Sequence, residues 1–135
     1  MPGTPTAILG LIVPTVGGDA NIWGTELNTN LATIDSLGAL SVVNVSSAYS
    51  ATRPVFPEML IRVTTSGLAI PVTLPSSASV AGKVYTVKRL DAGAGTVQIL
   101  ATDGIDNQTE WDLTNQYQWV RIFANGSSYD VIGSS

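Results

Sequence analysis

From Ser41 to Ile132 the chain is a succession of short runs in which apolar and polar residues alternate, each run closed by Pro, Gly or Asn. In Met59-Leu60-Ile61-Arg62-Val63-Thr64 the residues Met59, Ile61 and Val63 share one face, and Ile70, Val72 and Leu74 repeat the pattern until Pro75 ends it. Pro71 marks that second run as an edge or bulge position, because it has no N–H for a ladder. Residues 41–45, 84–90 and 96–101 continue the series. Residues 117–124 put Tyr117, Trp119 and Phe123 on one face and Val120 and Ile122 on the other, and Asn125-Gly126 is a strong hairpin signal before the closing strand. About eight short strands joined by such turns predict an antiparallel β-sandwich or jelly-roll-like knob, and the chain is mainly β.

Two zones precede the knob, which spans 39–135. Residues 1–20 hold Pro2, Pro5 and Pro14 around the apolar run Ala7-Ile8-Leu9-Gly10-Leu11-Ile12-Val13 and end near Gly17-Gly18. Prolines at this density exclude helix, so the zone reads as an extended arm. Its apolar middle, Ile8, Leu9, Leu11, Ile12 and Val13, predicts a docking segment buried in a neighbouring subunit or a larger particle; an edge strand on its own domain is the alternative. Residues 21–38 are the one helix candidate: Trp23, Leu27, Leu31, Ile34 and Leu37 fall at steps of four, four, three and three on one face. In heptad terms Leu27 and Ile34 take one core position and Trp23, Asn30 and Leu37 the other, which predicts either a short collar at a symmetry axis or a helix packed on its own β-domain. Gly24 and Asn21, Asn28 and Asn30 weaken its propensity, so it depends on packing.

The 135 residues make one domain's worth of chain, with only 12% charged and 44% apolar. That is half the usual share of charge, about 25%, so the polar surface is hydroxyl and amide, and repulsion between copies is weak. These features suit a subunit of a homo-oligomer. A net charge of −4 with six scattered Lys and Arg argues against nucleic acid, and Lys88-Arg89 reads as a solvated face. There is no Cys and no His, which removes thiol nucleophiles, disulfides, Ser-His catalysis and the usual zinc ligands. The apolar run near the start is too short to span a bilayer and no basic region precedes it, so neither a membrane segment nor an export signal is expected.

Candidate chemistry is sparse. Asp103, Asp106, Glu110 and Asp112 lie within ten positions, but not at EF-hand spacing, and no second carboxylate sits in an apolar context as a glycosidase needs. No catalytic residue, metal or cofactor is expected. Asp106 suits an Asx-type turn. Asp106, Asn107 and Trp111 together form a possible contact at the tip, where Trp111 between two carboxylates would stack on a host-surface glycan.

Two stretches resemble bacteriophage fibre and appendage proteins. The front one is Gly10-Leu11-Ile12-Val13-Pro14-Thr15-Val16-Gly17-Gly18-Asp19, followed by Trp23-Gly24-Thr25-Glu26-Leu27-Asn28-Thr29-Asn30-Leu31 and Ile34-Asp35. The rear one is the C-terminal segment from Gly104-Ile105-Asp106 through Asn125-Gly126 to Val131-Ile132, with Asn107 where the pattern commonly has Gly and Tyr129 where it has Trp. The resemblance implies a homotrimeric virion protein, assembled in the host bacterial cytoplasm, whose N-terminal arm docks on capsid or tail proteins. Anchor and knob are nearly adjacent, which favours a stubby appendage: a capsid decoration protein, head fibre, short tail fibre or adaptor.

Overall fold

A computed structural model of the protein describes residues 4–5, 12–13, 23–36, 41–54 and 57–135. The chain divides into two units, residues 1–39 and 40–135. In the first, strands β1 (Thr4–Pro5) and β2 (Ile12–Val13) pair antiparallel, Thr4 opposite Val13 and Pro5 opposite Ile12, and helix α1 spans Trp23–Ser36. Ile8, Leu9, Leu11 and Leu37, and the side chain of Trp23, lie outside the described residues.

The second unit is built from β3 (Ser41–Val45), β4 (Tyr49–Ser50), β5 (Glu58–Val63), β6 (Ala69–Thr73), β7 (Val84–Arg89), β8 (Thr96–Ile105), β9 (Gln108–Leu113), β10 (Trp119–Ala124) and β11 (Tyr129–Ser134). Every alternating run of the sequence is a strand, so the mainly β class stands. The pairing is different from the expected antiparallel sandwich or jelly roll. β3, β5 and β7 stack in parallel on one side, and β4, β6 and β8 stack in parallel on the other. The chain therefore winds as a β-solenoid-like coil of three turns, one strand per side in each turn. Successive coils are tied at their corners: Thr64 N–H donates to the Val45 carbonyl at 2.9 Å, and Leu90 N–H to the Val63 carbonyl at 2.8 Å. Period-two alternation is the same for both pairings, and parallel neighbours need only a crossover, which the opposite stack supplies.

The inward residues of the two stacks form one core. Ile61, Val63, Tyr85 and Val87 face Val72, Val97 and Ile99, all fully buried. Each such side chain contributes roughly 1.5–3 kcal/mol of hydrophobic stabilisation. The last coil is closed by β10, antiparallel to β7, and by β11, antiparallel to β10, while β9 folds back on β8. Tyr85 and Tyr129 meet edge to face inside, with ring centroids 6.3 Å apart. Their hydroxyls donate to the carbonyls of Thr52 at 2.8 Å and Pro75 at 2.7 Å, so neither buried O–H is orphaned.

Arg89 corrects the expectation of a solvated Lys88-Arg89 face. Lys88 stays outside, its Nζ 5.6 Å from the Tyr117 ring centroid, whereas Arg89 is fully buried at the end of β7. Its guanidinium donates to the carbonyls of Thr114 and Gly93 and lies 3.7 Å from the Asp91 carboxylate. Asp91 in turn accepts from the backbone of Thr65 at 2.9 Å and Ser66 at 2.8 Å, and from the Thr65 hydroxyl at 2.9 Å. An ion pair buried at its Arg89 end thus fastens three loops. Gly95 is part of the same corner: a Cβ there would stand 2.7 Å from the Leu68 carbonyl oxygen. Asn125-Gly126 also differs from a two-residue reversal, because the β10–β11 loop has four residues, 125–128. The Asn125 side chain accepts from the N–H groups of Ser127 and Ser128, both at 2.9 Å, an Asx-type closure.

Candidate functional site

Two surfaces carry the residues that the sequence singled out. The first is helix α1. Its exposed positions include Leu27, Leu31 and Ile34, which are 47%, 53% and 50% accessible. Glu26, by contrast, is 4% accessible, and Asn30 and Thr33, at the following steps of four and three, are half-buried beside it. The helix thus buries polar residues on one face and leaves an aliphatic stripe exposed. The exposed stripe has the 4,3 spacing of a coiled-coil seam. Leu31 completes it, whereas Asn30 falls on the Glu26 side, not between Leu27 and Ile34 as the heptad reading placed it. Thr29 and Thr33 donate their hydroxyls to the carbonyls four residues back, both at 2.9 Å, so these polar groups are satisfied within the helix.

The second surface is the tip of the β8–β9 hairpin and the outer face of β9. Ile105 and Gln108 are paired across Asp106 and Asn107, whose φ values are 46° and 66°. This is a two-residue turn with both central residues left-handed, a conformation that Asp and Asn tolerate better than other non-glycine residues. Asp106 N–H donates to the Tyr129 carbonyl at 3.0 Å, and the Asp106 carboxylate accepts from Val131 N–H at 3.1 Å. The residue therefore anchors the hairpin to β11. Asp103 is similarly occupied, accepting from Ser77 N–H at 2.6 Å. Among the described residues no group of His, Cys, Asp and Glu is arranged to hold a metal ion.

Farther along β9, Gln108, Glu110, Trp111 and Asp112 line a shallow depression of about 430 Å³. Trp111 packs partly against the core, and of the three expected tip residues it alone lines this depression. Glu110 and Asp112 lie two apart on the strand, hence on the same face. Gln98 on β8 donates to Glu110 at 2.9 Å. Partial burial, then the hydrogen bond and negative charge of Glu110, push the Asp112 carboxyl above its ordinary range. A carboxylate pair sharing a hydrogen bond side by side is not disposed across a sugar ring as glycosidase chemistry requires. Sequence reasoning missed the Gln98–Glu110–Asp112 group because Gln98 comes from another strand, and it gave no sign of the burial of Tyr129.

Comparison with family models, curated proteins and solved structures returned no match to this chain.

Proposed function

We propose that the protein is a structural component of a bacteriophage virion, a homotrimeric appendage with no catalytic role. The observation that carries this reading is the stripe of Leu27, Leu31 and Ile34, about half exposed on a helix whose inward position is Glu26. An aliphatic seam that the chain does not cover is what a helical collar buries when identical helices meet at a symmetry axis. A surface with only 12% charged residues supports the same reading, since copies approach with little repulsion. The resemblance of the front and rear stretches to phage fibre proteins supplies the virion context. In this account residues 1–20 dock on a capsid or tail protein, and the β-unit projects as the body of a capsid decoration protein, head fibre, short tail fibre or adaptor. Light scattering of the full chain in dilute solution tests the oligomer: three times the 14.0 kDa of one chain is expected, and a monodisperse monomer contradicts it.

A further inference from the structure

The β-unit has two lateral edges that the described chain leaves open, β3 along its length and β11 from Ile132 onward. β3 pairs only with β5, and β11, whose far side is held as far as Val131 by the Tyr129–Ile105 bridge and by Asp106, pairs beyond that point only with β10. Natural sheets blunt such edges with charge, proline or brevity. The other edges here follow that rule: β4 has two residues, and β9 carries Glu110 and Asp112. β3, Ser-Val-Val-Asn-Val, has neither charge nor proline, and neither does β11 from Val131 onward.

The two open edges bound the run β3-β5-β7-β10-β11 of the nine-stranded sheet. Val42 is in register with Leu60, Thr86, Arg121 and Gly133 in turn, so one row crosses the whole sheet. Both ends of the row are aliphatic and exposed: Val42 is 49% accessible, and Ile132, at the bulge beside Gly133, is 51% accessible. Within the row the charge is already neutralised, since Arg121 donates to Glu58 at 2.9 and 3.1 Å. The chain directions also agree. β3, β5 and β7 are parallel, β10 reverses and β11 reverses again, so β11 runs parallel to β3. Rotation about an axis along the strands preserves that direction, and it brings the β11 edge of one copy beside the β3 edge of the next.

We infer that the occupant of each edge is a second copy of this chain, with Val42 on β3 of one copy packed against Ile132 on β11 of the next. Repeated around a threefold axis, this heterologous contact closes a ring of three sheets. The inference rests on the homotrimer proposed above. It specifies a contact that the helix collar does not require.

The chain has no cysteine, so introduced pairs report without background. Four strand spacings separate β3 from β11 in one sheet, about 19 Å, whereas a disulfide needs Cα atoms about 4.4–6.8 Å apart. A Val42→Cys/Ile132→Cys double variant therefore cannot bridge within one chain. Mild oxidation of the full chain is expected to give covalent trimers and nothing larger, while each single variant stays uncrosslinked. A wild-type trimer whose double variant does not crosslink overturns the edge contact and leaves the helix collar standing. A wild-type monomer overturns both, and a ladder extending beyond trimer overturns ring closure. Should the cysteine variant fail to reach wild-type mass before oxidation, Val42→Asp and Ile132→Arg replace it. Each alone is expected to weaken the trimer at least tenfold and the pair together to restore it, and single changes without effect overturn the contact.

Discussion

Replacing Leu27, Leu31 and Ile34 together by Ser is expected to turn the proposed trimer into monomers at micromolar concentration while leaving the β-unit folded. Each of the three side chains is about half exposed, so burying the remainder is worth roughly 1 kcal/mol apiece. Three such residues from each of three chains sum to about 9 kcal/mol, or about six orders of magnitude in the association constant. The same substitution removes nothing from the β-solenoid core, which among the described residues is made of residues from Val43 onward. Far-ultraviolet circular dichroism with a strand signature, beside a threefold fall in mass by light scattering, is the expected pair of results. Asn28→Ala, on the exposed surface outside the stripe, is the control and should leave the mass unchanged.

Arg89→Ala is expected to lower the melting temperature of the β-unit by about 12 °C or more. The guanidinium is fully buried and joins the carbonyls of Thr114 and Gly93 to Asp91. Each of the two hydrogen bonds from the charged guanidinium to a carbonyl is worth about 1.5–3 kcal/mol, and each kcal/mol moves the midpoint of a domain this size by about 4–8 °C. The partner carboxylate adds a pH dependence. Hydrogen bonds from the Thr65 backbone first, and then from the Thr65 hydroxyl and the Ser66 backbone, hold the Asp91 carboxyl down at about 2. A carboxyl with a depressed native value contributes stability that is complete above its unfolded value of about 3.9 and is lost as pH falls towards 2. Asp91→Asn should therefore flatten the acid limb of a pH–stability curve between about pH 4 and pH 2, and an unchanged limb would contradict the role given to this group.

Strand positions were legible in the sequence to within a few residues, because alternation and turn residues are local signals. The expected run 59–64 is β5 at Glu58–Val63, and 117–124 is β10 at Trp119–Ala124. Pairing was not legible, since parallel and antiparallel strands alternate alike, and the coil depends on contacts such as Met59 with Tyr85 that lie far apart in the chain. The helix was legible as a 3.6-residue pattern and spans Trp23–Ser36. Which of its faces stays exposed was not, because heptad assignment treats Asn30 and Leu31 only by position, and the burial of Glu26 decides between them. Arg89 was misplaced for a related reason: its position in β7 alternates inward with Tyr85 and Val87, but its charge suggested the outside. At the tip, Asp106 was legible as a turn former, while its bond to Val131 N–H belongs to tertiary structure.

The proposed virion role is tested most directly by cryo-electron microscopy of phage particles assembled with and without this protein. Symmetric density of the size of three chains, present at fixed positions on the intact particle and missing from the particle assembled without the protein, is the predicted result. Particles that are identical in the two preparations, with the protein found only in the lysate, would contradict it.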